Sequence, residues 1–382
     1  MKVEGICHDR FTAVRTLFEQ NLASGEDVGA SVALIIDDHV VIDLWGGTAT
    51  FDDGVDKPWE RDTIINVWST TKTMTALSAL VLADRGELDV DAPVARYWPE
   101  FAANGKDNVL VRHLLSHSAG LSGWQEPITI DDLYDWDKCT SLLAAQAPWW
   151  EPGTQSGYHA ISQGYLVGEV VRRVSGVSVG TFFAREVAEP LGADFFIGTP
   201  DSADHRVAHV IAPTSPLGDA RINPESILAR TLGNPLLDAA ASATVPWRRS
   251  EIPAAGGHGN ARSVAAVQSI VSHGGQAQGV RLMSQSGVDR IFREQTYGAD
   301  LVLAMASKIR LGIGYGLNCP ELPISPNTRA CFWGGWGGSL VVNDLDARMT
   351  FAYVMNRMGE GTTGDARGGG LLMTAFGAMA AG

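Results

Sequence analysis

Cysteine is scarce and scattered. The 382-residue chain has four, Cys7, Cys139, Cys319 and Cys331, with no pair at metal-ligand spacing. That excludes a disulfide scaffold, and in a cytosolic chain four isolated residues read as reduced, structural thiols. Runs of Lys or Arg are missing too, and 43 acidic residues against 29 basic ones give a net charge of −14. Such a chain has no basic footprint for nucleic acid or an anionic membrane surface. No apolar stretch reaches the length of a membrane span. The N-terminal "MKVEGICHDRFTAVRTLFEQ" lacks the apolar core of a signal peptide, so cytoplasm is the expected location. Charged residues are only 19% of the chain and hydrophobic ones 45%, which supplies a core and excludes disorder. Nothing in the composition sets an oligomeric state.

What is present begins with "FTAVRTLFEQNLA" (Phe11 to Ala23), apolar at helical spacing. "ASVALIIDDHVVIDLWGG" follows as two strands joined by a tight turn around Asp37, Asp38 and His39. Ser69 to Asp84 reads as a long helix closed by Gly86. Helices, Pro/Gly breaks and irregular loops with little strand signal then run to about residue 250. Strands return in "SLVVND" (Ser339 to Asp344) and "MTFAYVMN" (Met349 to Asn356). The "RGGGLL" segment after Asp365 reads as a flexible loop, and "LLMTAFGAMA" as a small-residue helix. The length allows two to three domains. The order predicts an α+β fold: one antiparallel sheet built from both chain ends (residues 1–66 and 250–382), flanked by helices, with a mostly helical domain inserted between (residues 67–249).

Four constellations carry possible chemistry. In "INVWSTTKTMTALSALVLADRG", Ser69 and Lys72 lie three apart on one helical face, so the amine can reach the hydroxyl. Ser69 stands at the helix start, where free N–H groups favour a developing oxyanion. Met74, Ala76, Leu77, Ala79, Leu80, Val81 and Leu82 make the helix apolar on nearly every side, and burial lowers a lysine pKa towards that of a usable base. Read plainly, the pair is a capping serine and a snorkelling lysine. Second, "GVSVG" (Gly176 to Gly180) matches the Gly-x-Ser-x-Gly string, but that motif needs a strand-to-helix elbow. Helical patterns flank it on both sides, so Ser178 is rejected as a nucleophile.

Third, "HLLSH" sets His113 and His117 four apart. Leu114 stands where a zinc protease has its glutamate, so the pair reads as structural histidines capping a helix, with no metal. Fourth, Tyr158 follows a Pro-Gly turn, where a phenol beside a lysine can be held partly as phenolate and act as a base. Its rival Tyr165 lies inside an apolar helix and reads as core. In "CFWGGWGGSLVVND" the glycines let backbone approach a ligand, and an N–H there could complete an oxyanion hole, while a bulge packing on Trp333 and Trp336 explains them equally well.

Taken together, these residues resemble the serine β-lactamase/penicillin-binding-protein superfamily, and most closely the family VIII carboxylesterases, which share the class C β-lactamase fold. "WSTTK", "LLSHSAGL", "PGTQSGYHA", "GGHGNARS" and "WGGWGGSLVVND" fall in the family's order over most of the chain. The resemblance implies Ser69 as the acylated serine, Lys72 as the proton-accepting lysine and Tyr158 as its partner. It implies backbone N–H groups of Ser69 and Trp336 as the oxyanion hole, with Trp333, Gly334, Gly335 and Trp124 lining the substrate cleft beside Trp149 and Trp150. Tyr158-His159-Ala160 replaces the β-lactamase Tyr-x-Asn, and Trp333-Gly334-Gly335 replaces Lys-Thr-Gly. Losing that amide and that cation turns the site from β-lactams towards neutral, short esters, without cofactor or metal. The expected partner is a small-molecule ester. A β-lactamase or D-Ala-D-Ala peptidase of the same fold, and a catalytically silent binding protein, are the alternatives.

Overall fold

A computed structural model describes residues 2–214, 223–303 and 308–381. Its main sheet contains β1 (Val3–Cys7), β2 (Gly29–Ile36), β3 (His39–Thr50), β4 (Thr296–Gly298), β5 (Ile309–Leu311), β6 (Gly316–Leu317), β7 (Ala330–Gly334), β8 (Leu340–Asp344) and β9 (Met349–Met355). The spatial order is β1-β3-β2-β9-β8-β7-β6-β5-β4, with a short strand, Asp56–Pro58, added beside β3. Every pairing in this sheet is antiparallel. First and last strands of the chain thus meet at its centre, with Val32 opposite Tyr353.

Both faces are covered. Helix α1 (Thr12–Ser24) buries Val14, Phe18 and Leu22, spaced four apart on one face, and packs against the C-terminal helix. Burying each such side chain contributes about 1.5–3 kcal/mol. A helix spanning Ala261–Ser272 covers the opposite face: Ser272 bonds Thr350, and the Ala261 N–H donates to Ser31. With helices on both sides, β9 is buried along its whole length and β2 as far as Ile35, which explains apolar runs in place of alternation. The β2–β3 hairpin turns on Asp37 and Asp38, both with positive φ (47° and 67°), the two-residue geometry that matches strand twist.

Helix α2 (Thr71–Asp84) runs through the interior and is buried on every side as far as Ala83. The sequence pattern starts this helix at Ser69; instead a 3₁₀ turn, Trp68–Thr70, precedes it and carries the serine. Gly86 ends it at φ 78°, with the Glu87 N–H bonded back to the Leu82 carbonyl. A Cβ on Gly86 would touch nothing within 4 Å, so Gly86→Ala isolates the backbone cost. It is expected to lower unfolding free energy by about 1–2 kcal/mol, read as a shift in urea midpoint without a change in slope.

One expectation is corrected. "RGGGLL" is not a loop but the first turns of a helix, Ala366–Ala380, because Asp365 caps it, accepting the Arg367 and Gly368 N–H groups, and Leu371 and Leu372 are buried. Capping and packing outweigh the glycines' poor helix propensity. The mostly helical middle of the chain also contributes two short strands. Phe195–Ile197 and Val207–Ala208 join Ile64–Asn66 and Gly257–Gly259 in a small second sheet. Strands of two and three residues are too short to show a period. The four cysteines are free thiols, three of them buried.

Candidate active site

The strand Ile64–Asn66 delivers the chain to Trp68, whose φ of 48° is a left-handed conformation rare for a bulky residue. Its surroundings hold it there. The indole lies 5.5 Å from Trp247 and 4.8 Å from Trp336, and the Thr71 hydroxyl donates to the Trp68 carbonyl at 2.5 Å. Ser69 follows, 7% exposed.

Lys72 is 1% exposed, and its Nζ has four oxygen neighbours: Ser69 Oγ at 3.0 Å, Tyr158 Oη at 2.9 Å, and the carbonyls of Ala160 at 2.7 Å and Ala254 at 3.0 Å. Burial holds the amine well below the ordinary lysine value. Carbonyl oxygens only accept, so Ala160 and Ala254 each take an N–H. A neutral amine has two N–H groups and one lone pair. With both N–H groups committed, the lone pair is left facing the serine and the phenol. The Ala254 carbonyl is brought close because α3 (Ser162–Ser175) has Gly164 against it: a Cβ there would fall 2.3 Å from the Ala254 nitrogen.

Tyr158 Oη lies 2.5 Å from Ser69 Oγ. The Tyr158 N–H donates to Asp300 Oδ1 at 2.9 Å, and the same oxygen accepts from Val302 and Leu303 at 2.8 Å each. The ring is packed edge-on by His117 at 5.1 Å and tilted against Trp333 at 5.6 Å. Here the partly ionised phenol expected from the sequence is corrected. Burial, with the Asp300 charge nearby, pushes the phenol up, so it rests protonated.

His117 and His113 do not act as a pair. His113 Nδ1 accepts the Leu110 N–H at the start of its own helix, whereas His117 Nδ1 accepts the His159 N–H and its ring stacks on Trp333 at 5.3 Å. His159 donates from Nδ1 to the Gly157 carbonyl and accepts the Leu121 N–H at Nε2. Burial holds His117 well below its ordinary value and takes His159 down to about 3, so both imidazoles are neutral around pH 7.

The glycine run closes the other side. A Cβ on Gly335 would fall 2.4 Å from the Val67 carbonyl, 2.3 Å from Ser339 Oγ and 3.2 Å from the Ser69 nitrogen, so only glycine lets this backbone lie against the nucleophile turn. Ser339 Oγ donates to the Val67 carbonyl, riveting the two segments. In the turn after β7, the Gly335, Gly337 and Gly338 N–H groups bond Ser339, Gly361 and Gly335 carbonyls. The Trp336 N–H has no backbone acceptor among the described residues. Gly334 backs onto residues 363 and 364, where a Cβ would fall 2.4 Å from the Thr363 carbonyl carbon, so its close approach serves packing behind the strand.

Trp124 is the clear misplacement. It is buried in the main core, edge-on to Tyr165 at 5.6 Å, and its indole donates to the Cys139 carbonyl, so it offers no face to a ligand. Tyr165 is core, as its helix position predicts. Ser178 caps a short helix and donates to Glu251 at 2.5 Å; no strand-to-helix elbow is there. Trp150 packs on Gly157, and Trp149 lies under the Arg230 guanidinium. Sequence reasoning named Trp333 and Ala160 but missed the rest of the apolar wall beside Tyr158: Val302 and Leu303, with Leu301 and a short helix, Ile227–Leu232, packed against them. The apolar residues of "ILARTL", Ile227, Leu228 and Leu232, fall at helical spacing and were the available signal.

With this geometry in view, the comparisons with known proteins are specific. The Beta-lactamase family profile matches residues 14–372. A crystal structure of a family VIII carboxylesterase is 42% identical, with a TM-score of 0.92 over 99% of this chain and 100% of that one. A penicillin-binding protein homologue from Caulobacter crescentus is 39% identical, with a TM-score of 0.91 over 99% and 100%. The esterase/beta-lactamase LipL of Mycobacterium tuberculosis is 33% identical over 94% of this chain and 83% of its own. A buried Ser-x-x-Lys-Tyr centre on a helix-flanked antiparallel sheet, matched along nearly the whole length, places the chain in the Beta-lactamase family.

Proposed function

We propose that this carboxylic ester hydrolase cleaves small, neutral esters through an acyl-enzyme on Ser69, with Lys72 and Tyr158 as its base pair. The observation that carries the reading is the buried Lys72 amine, within hydrogen-bond distance of two carbonyls and of the Ser69 and Tyr158 hydroxyls. Ser69 Oγ attacks the ester carbonyl as its proton passes to Lys72 Nζ, directly or by relay through Tyr158. The oxyanion forms between the N–H groups of Ser69 and Trp336. As the tetrahedral intermediate collapses, the C–O bond to the alcohol breaks and the alcohol leaves with the proton, returned through Tyr158. Water, giving a proton to the same amine, then attacks the acyl carbonyl. The acid departs and Ser69 regains its hydrogen.

Neutral substrates follow from the walls. Trp333 stands where β-lactamases carry a lysine, Ala160 replaces their amide, and leucines, isoleucine and valine surround both. The names of the family VIII carboxylesterase and of LipL support an ester substrate. LipL's name also includes β-lactamase, so nitrocefin belongs in the same assay; p-nitrophenyl acetate and butyrate are expected to turn over faster. The decisive test is a fluorophosphonate probe followed by peptide mass mapping. The phosphonyl group is expected on Ser69, and an unlabelled, folded chain would favour the silent binding protein instead. Gly335→Ala is expected to cost about a hundred- to a thousand-fold in kcat, the usual effect of losing an oxyanion donor, because the added methyl forces the Trp336 turn off Ser69. Steady-state kinetics on p-nitrophenyl butyrate reads this.

A further inference from the structure

Arg367, which no step above uses, sits behind the glycine turn with all five of its N–H groups directed at acceptors. Nε and Nη2 donate to Asp365 Oδ2 at 2.9 and 2.5 Å, and Nη2 also donates to the Gly337 carbonyl at 2.8 Å. Nη1 faces Asp27 Oδ1 at 3.0 Å and the carbonyls of Glu26 and Arg357 at 3.0 and 2.9 Å. Asp27 is fully buried and also accepts from the Tyr353 hydroxyl at 2.6 Å. A guanidinium in this setting is costly to bury, and its planar fork, unlike an ammonium, can serve three directions at once.

The turn it grips is the one that presents the Trp336 N–H. The Gly335 carbonyl is held by the Gly338 and Gly364 N–H groups, both at 3.2 Å. Peptide units are planar and trans, so the Trp336 N–H on the opposite edge of that unit points away from residue 364. The Gly337 carbonyl is held from the same far side, by Arg367 and by the Gly359 N–H at 2.7 Å. Gly338 presses directly on the ion pair: a Cβ there would fall 2.5 Å from Asp365 Oδ2 and 2.9 Å from Arg367 Nη2.

We infer that Arg367 is a positioning residue for the oxyanion donor: its guanidinium, set by Asp27 and Asp365, fixes the Gly337 carbonyl so that the Trp336 N–H stays aimed at the reacting ester. This rests on the acyl-enzyme reading above. A merely structural arginine would also hold this corner together, so the test must read the hydrogen bond itself. A thionoester differs from its ester by one atom, and sulfur is a weak acceptor, so its turnover depends little on that donor.

The test compares wild type, Arg367→Lys and Asp365→Asn on an ester and its thiono analogue, with melting temperatures recorded alongside. Lysine keeps a cation opposite Asp27 but cannot hold Gly337 and both carboxylates together. Asparagine keeps the helix cap and removes the charge that sets the arginine. For Arg367→Lys, kcat on the ester is expected to fall about ten- to a hundred-fold, part of the loss that follows complete removal of such a donor. The thionoester should change little, so the ester/thionoester ratio collapses. Asp365→Asn should move the ratio the same way by less. Equal losses on both substrates, or an unchanged ester rate in a folded variant, overturn the proposal. Should Arg367→Lys fail to fold, the Asp365→Asn ratio decides alone. A wild type that shows no preference for the ester sinks the oxyanion reading itself rather than the role of Arg367.

Discussion

Ser69→Ala is expected to lower kcat on p-nitrophenyl butyrate by on the order of 10⁵–10⁶, leaving only what binding and the oxyanion donors supply. The side chain is small and its loss removes one oxygen from a site that keeps Lys72, Tyr158 and both carbonyls in contact. The melting temperature should therefore change little, and the fluorophosphonate label should vanish. Ser178→Ala supplies the control. Its hydroxyl caps a helix and bonds Glu251, so the variant should lose about 1 kcal/mol of stability and keep its turnover. Activity surviving the first change and lost in the second would reverse the choice of nucleophile.

Lys72→Met is the second large effect, with kcat expected to fall by about 10²–10⁴, the usual contribution of a positioned base. Lys72→Arg should be as inactive although it keeps the length, because a guanidinium stays protonated and has no lone pair to offer. The pH dependence has a definite sign. Burial holds the Lys72 amine well below 10.5, so activity is expected to be lost on the acid side, where the amine takes up a proton, and regained as pH rises through the depressed value. Between the depressed folded value and 10.5 the unfolded chain carries one more proton than the folded one, so stability rises with pH across that window. Below the folded value both states are protonated and the full cost of a buried cation is felt. Lys72→Met lacks this group. The stability difference between wild type and Lys72→Met should therefore shift in favour of wild type as pH climbs towards 10.5, read from urea midpoints at a series of pH values.

How much of this was legible depended on distance along the chain. Ser69 and Lys72 are three apart, and local helical geometry alone brings them together. Tyr158, 86 residues from Lys72, could be nominated by its place after a Pro-Gly turn and by family resemblance, but nothing local sets its 2.9 Å contact. The Ala254 carbonyl lies 182 residues away and is backbone, which no residue letter advertises. Trp124 was misplaced because an indole in a loop can serve a cleft or a core, and only the facing Tyr165 decides which. The main sheet was readable at its centre, where β2 and β9 are long and apolar. It was unreadable at β4 to β6, two or three residues each. Residues 367–372 looked like a loop because glycine is a poor helix former, and tertiary burial of Leu371 and Leu372 reversed that.

The four oxygens around the Lys72 amine come from three stretches of chain, near residues 69, 158–160 and 254. Lys72 is 86 residues from Tyr158 and 182 from Ala254, so the three meet only in the tertiary structure. Catalysis therefore needs all three stretches docked at once, so hydrolysis of a chromogenic ester doubles as a gauge of native assembly.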